Sequence, residues 1–225
     1  MKGQFFPYKD ENPTKRFPVV TVSLIILNVV VFIWSLTDFE NIIATYGFTP
    51  AQFSILAIIT SVFLHGGLDH IFGNMWYLWL FGDNVEDKFG RLKYSIFFLL
   101  AGIFAGIVHF LSDPASAVPA IGASGAISGV LGAYVAMFPR VKVKVIGYYM
   151  AMELPALVVI GFWFVLQLIF GAVSFLGESG SGIAFFAHIG GFVFGYIIGQ
   201  VYMRLYPGKA EGGVKAAQKL PGNDA

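Results

Sequence analysis

The sequence contains no cysteine, and only 12% of its 225 residues are charged. Without cysteine there is no disulfide, no thiol nucleophile and no thiolate metal site. The scarcity of charge is foreign to soluble domains, in which about 25% of residues are charged and about 45–50% apolar. Net charge is only +1, with no concentrated basic face to hold a nucleic acid. There is no HExxH zinc signature, and His65 and His70 are poorly spaced for one helical face. Neither a metal nor another cofactor is expected. Paired intramembrane aspartates are also missing, which argues against aspartyl chemistry.

Apolar residues make up 57% of the chain and gather in six segments. These are Pro18–Leu36, Ile71–Val85, Tyr94–Leu111, Ser124–Phe138, Leu154–Phe175 and Ile183–Tyr206. A spanning helix needs about 20 residues, so the second and fourth are short. Short spans beside polar, Gly-rich sequence suit helices that begin below the membrane surface, shielded by neighbours. Phe53–Leu64 is too short to span and reads as an interfacial or re-entrant part of the long first loop.

With six spans, all 14 Lys and Arg residues fall on one side. Lys2, Lys9, Lys15 and Arg16 precede the first span; Lys88, Arg91 and Lys93 follow the second. Arg140, Lys142 and Lys144 follow the fourth, and Arg204, Lys209, Lys215 and Lys219 close the chain. The opposite loops carry Asp38, Glu40, Asp113 and Glu178 and no basic residue. The positive-inside rule then places both termini in the cytoplasm. The predicted fold is an all-α, six-transmembrane-helix bundle in the lipid bilayer, with a partly embedded first loop. It divides into a cytoplasmic arm at 1–17, the bundle at 18–206 and a flexible cytoplasmic tail at 207–225. The loop Leu176–Gly182, rich in Gly and Ser, is also expected to be flexible.

Polar side chains inside spans are costly and mark function by default. The second segment opens with FLHGGLDHIFGN, which puts His65 and Asp69 at its mouth and His70 and Asn74 inside, on one helix face. The fourth opens with IGASGAISG, so Ser124 stands in the first turn behind Gly122, and Ser128 shares its face. The sixth holds AHIGGFVFG, with His188 near its outer end. Alternating spans bring Ser124, His188, His70 and Asn74 to similar depth. Gly125, Gly129 and Gly132 on the fourth span and Gly191, Gly195 and Gly199 on the sixth form small-residue faces that allow close approach in lipid.

Each signal has a plainer explanation when taken alone: packing for the serine and glycines, a satisfied polar contact for the histidines, an interfacial anchor for Trp34. Together they make a chemistry. A serine hydroxyl is a weak nucleophile until a base takes its proton, and a neutral imidazole does this near pH 7. No carboxylate lies within the fourth or sixth span, so a dyad is expected rather than a triad. His70, the Asn74 amide and the Ser124 backbone N–H, supported by Gly122, are the candidates to hold an oxyanion.

These motifs resemble those of the rhomboid intramembrane proteases in content, order and spacing. The resemblance runs from about Thr60 to Gly199 and is carried by HGGxxHxxxN, ExxxG at Glu86–Gly90, GASG and AHxxGxxxG. It implies that Ser124 is the nucleophile and His188 the general base, with His70 and Asn74 at the oxyanion. It further implies transmembrane protein segments as substrates, cut near the outer face, with the fifth span (Phe162, Trp163 and Phe164 among its residues) and the following loop as gate and cap. The chain departs from the family pattern at two places. Leu56 and Ala57 stand where many members carry Trp-Arg, and Ser128 stands where some carry an aromatic residue. Ser128 is expected to bond to His188 or to a trapped water. Two rival readings are a non-catalytic relative that binds transmembrane clients and a small transporter; retention of both Ser124 and His188 and lack of an inverted repeat weigh against them.

Overall fold

The computed structural model describes residues 6–147, 150–175 and 184–207. The loop Leu176–Gly182 and nearly all of the tail lie outside these residues. Six helices follow the apolar segments: α1 (Val19–Ser35), α4 (Leu68–Phe89), α5 (Arg91–Ser112), α6 (Ser124–Met137), α7 (Ala156–Phe175) and α8 (Phe185–Leu205). Two short helices, α2 (Phe39–Tyr46) and α3 (Ile55–Ser61), form the long first loop. Among the described residues three helices are long and apolar enough to cross a membrane, Arg91–Ser112, Ala156–Val173 and Phe185–Leu205; Val19–Ser35 and Ser124–Met137 are shorter apolar helices.

α6 is the axis of the molecule. Every residue from Gly125 to Met137 is buried, so the helix is apolar all round. Its glycines bring α8 into backbone contact. A Cβ added at Gly191 would collide with the Gly125 carbonyl oxygen, and one at Gly195 with that of Gly129. On the other side, a Cβ at Gly129 would come within 2.6 Å of the Ala101 side chain on α5.

Glu86 and Gly90 have separate physical tasks. The buried Glu86 carboxylate accepts hydrogen bonds from the Val20 and Thr21 backbone N–H groups at 3.0 and 2.8 Å, and from the Thr21 hydroxyl at 2.9 Å. It thus satisfies the open N-terminus of α1 with a negative charge, where the helix dipole favours one. Gly90 has φ +78 and turns the chain between α4 and α5.

The all-α expectation needs correction. Three strands, β1 (Phe6–Asp10), β2 (Lys142–Gly147) and β3 (Met150–Pro155), form an antiparallel sheet in the order β1-β2-β3. The sequence KVKV alternates, and Val143 and Val145 are fully buried while Lys142 and Lys144 point outward to ion pairs with Glu153 and Glu11. Period-two alternation is a strand signal, masked here by reading the lysines only as topological markers. The amino-terminal segment is therefore packed on the bundle. Trp76 donates to the Pro7 carbonyl at 2.8 Å, and the Asp10 carboxylate accepts from Tyr134 at 2.7 Å and Asn84 at 2.9 Å.

Candidate active site

Ser124 is the first residue of α6. Just before it Gly122 adopts φ +122 and gives its N–H to the Ser61 carbonyl at 2.9 Å. That backbone shape is strained for a residue with a side chain, and a Cβ there would also lie 2.7 Å from His70 Nε2. The glycine lets the imidazole of α4 close on the start of α6.

His188, on α8, reaches Ser124 across the glycine-lined contact. Its Nε2 is 2.8 Å from Ser124 Oγ, and its Nδ1 is 2.8 Å from Gln167 Oε1 on α7. The Trp163 ring stands 6.0 Å from the imidazole, centre to centre. His70 Nδ1 accepts the Gly66 backbone N–H at 3.3 Å, so in the neutral ring its proton sits on Nε2. Asn74 is buried and gives one amide hydrogen to the His70 carbonyl at 3.0 Å, which leaves a second amide hydrogen beside the cavity. A cavity of about 650 Å³ is bounded by His70, Asn74, Tyr77, Ser124, Trp163 and His188. A second cavity, of about 610 Å³, lies between α7 and the pair α4 and α6, and shares Tyr77, Leu131 and Trp163 with the first.

Ser128 departs from the expectation. Its hydroxyl donates to the Ser124 carbonyl at 2.6 Å, and the two His188 nitrogens are held by Ser124 and Gln167. A serine within a helix can turn back to the carbonyl four residues earlier, and here it does. Of the aromatic trio on α7, Trp163 faces His188, Phe164 stacks on Phe192 at 4.1 Å between centres, and Phe162 is exposed. His65 is wholly buried with its ring centre 5.1 Å from that of His70. Burial, with His70 beside it, pushes its pKa down to about 4, so it is neutral at physiological pH. His109 packs edge-on against Phe48.

Gln167 escaped the sequence analysis. It interrupts the apolar run of α7 and is buried there. The rule that singles out polar residues inside spans applies to it as well. A search for a third member confined to carboxylates passes over an amide.

Packed apolar helices with a serine–imidazole contact between two of them make up the site, and the family model for the rhomboid domain matches residues 52–205. The chain belongs to the rhomboid family. Among its relatives is the rhomboid protease GluP of Bacillus subtilis (strain 168), 29% identical over 198 residues, which cover 84% of this chain and 35% of that protein. RHOMBOID-like protein 1 of Arabidopsis thaliana is 28% identical over 146 residues, covering 65% of this chain and 34% of that protein. The putative rhomboid protease YdcA of Bacillus subtilis is 28% identical over 128 residues, 55% of this chain and 64% of that protein. The chain thus spans about a third of the length of the first two.

Proposed function

We propose that this chain is an intramembrane serine endopeptidase that cleaves transmembrane segments of other proteins near the outer face of the membrane. The observation that carries the reading is the 2.8 Å approach of His188 Nε2 to Ser124 Oγ, made between α8 and the buried α6 beside a cavity. As a substrate carbonyl enters, Ser124 Oγ bonds to its carbon while the hydroxyl proton passes to His188 Nε2. The carbonyl oxygen takes up the negative charge. His70 Nε2–H, the second Asn74 amide hydrogen and the Ser124 N–H are the donors for it. The imidazolium then returns the proton to the departing amide nitrogen as the C–N bond breaks, leaving an acyl-serine. Water, deprotonated by the same nitrogen, releases the acid and restores the hydroxyl.

In this reading α1, α4, α5, α6, α7 and α8 all cross the bilayer, with both termini in the cytoplasm. Collection of the 14 Lys and Arg residues on one side supports the arrangement. The sheet then lies on the cytoplasmic side and the dyad opens toward the exterior of the cell membrane.

The test is covalent labelling by a fluorophosphonate, together with cleavage of a purified transmembrane substrate. Wild type is expected to be labelled and to cleave; Ser124→Ala and His188→Ala are expected to do neither. Labelling that persists without Ser124 moves the nucleophile elsewhere. Binding of the substrate without cleavage makes the chain a non-catalytic client binder.

A further inference from the structure

Among the described residues, no carboxylate stands behind His188. The titratable groups among them whose fields reach it are His70 on α4 and His109 on α5. What stands at its second nitrogen is the Gln167 amide, 21 residues earlier, only 9% exposed. A buried amide in an apolar helix costs free energy unless it is hydrogen bonded, and here the bond goes to an imidazole already in contact with a hydroxyl. Neutral imidazole carries one N–H. An acceptor oxygen 2.8 Å from Nδ1 draws the hydrogen there and leaves the lone pair on Nε2, the nitrogen facing Ser124 Oγ.

We infer that Gln167 is a positioning residue: it selects the Nδ1–H tautomer of His188, fixes the ring, and keeps an acceptor on the imidazolium once Nε2 has taken the proton. The inference rests on the reading of His188 as general base. It also ties the base to one helix. α7 packs mainly against α8, and the 610 Å³ cavity separates it from α4 and α6. Only 22% of its apolar stretch is buried, against 28% for α5 and 39% for α8. Displacing α7 from α8 withdraws the oxygen and leaves His188 free to take the wrong tautomer.

The experiment compares the full chain in lipid bicelles as wild type, Gln167→Leu and Gln167→Glu. Leu removes the acceptor at similar size, and kcat is expected to fall about tenfold, the worth of one hydrogen bond, with KM little changed. The acid limb of kcat/KM is expected to move to lower pH in Gln167→Leu and to higher pH in Gln167→Glu, because a carboxylate favours the charged ring. Nitrogen NMR of the His188 ring, assigned by its loss in His188→Ala, is expected to show Nδ1 protonated in wild type and a tautomer mixture in Gln167→Leu. If Gln167→Leu does not fold, the limb in Gln167→Glu carries the comparison. Coincident acid limbs, or an unchanged tautomer in Gln167→Leu, overturn the inference even if wild type cleaves. A wild type that cleaves nothing but holds Nδ1 protonated through Gln167 sinks the protease reading, and with it the catalytic part of the inference, while the selection of the tautomer by Gln167 stands.

Discussion

Gly122 stands at the narrowest point of the site, with positive φ and His70 Nε2 within 2.7 Å of where its Cβ would be. Gly122→Ala is therefore expected to push His70 away from the start of α6 and to strain the backbone by about 1–3 kcal/mol. Substrate cleavage should fall at least as far as in His70→Ala, and the melting temperature should drop with it. His70→Ala itself removes one oxyanion donor, and the expected loss in kcat is about a hundred- to a thousandfold with KM nearly constant. Steady-state kinetics on a transmembrane substrate check both. At this scale the gathering of Ser124, His188, His70 and Asn74 at one cavity was legible because a polar group in an apolar segment needs a reason. The direction of the Ser128 hydroxyl was not, because a shared helix face does not say which way it turns. Its own helix offered a carbonyl 2.6 Å away.

Helix pairing and strand pairing give contrasting predictions. Gly195 on α8 meets the Gly129 carbonyl so closely that any Cβ forces the helices apart, whereas Gly161 on α7 has nothing within 4 Å of its Cβ position. Gly195→Ala should lower thermal stability in detergent and abolish cleavage by opening the gap between Ser124 and His188. Gly161→Ala should be neutral or stabilising by up to about 1 kcal/mol, the gain in helix propensity. The sheet adds a pH dependence. Burial, chiefly, lifts the Asp10 carboxyl on β1 to about 7, against the lowering effect of its bond from Tyr134. A carboxyl raised on folding contributes stability that is complete below its ordinary value of 3.8 and is lost as pH rises through about 7. Protection of β1 amides from hydrogen exchange, corrected for intrinsic rates, should thus decline between about pH 4 and 7 and level off above, and Asp10→Asn should flatten the decline. The apolar helices were readable from the sequence to within a few residues. α4 runs past its apolar segment to Phe89 because Glu86 is engaged by α1 and Phe89 packs on Phe97 and Tyr202. The sheet was not readable as such, because β1 and β2 pair across most of the chain and each is short.

For the whole molecule, absence of cysteine makes the proposed topology directly testable, since any introduced thiol is the sole label site. In intact cells a membrane-impermeant maleimide should modify Asp113→Cys, between α5 and α6. It should reach Lys142→Cys, on β2, only after the membrane is opened. The reverse pattern would invert the bundle and turn the dyad toward the cytoplasm. The sheet also sets an order of assembly. Phe6 pairs with Ile146, so β1 leaves the ribosome and waits for a partner made 140 residues later. At about 5–20 residues per second that delay lasts about 7–28 seconds, during which α1, α4, α5 and α6 are made. The arm is then sealed onto a bundle whose central helix is in place, and a nascent chain halted before β2 should expose it to proteases that the finished protein resists.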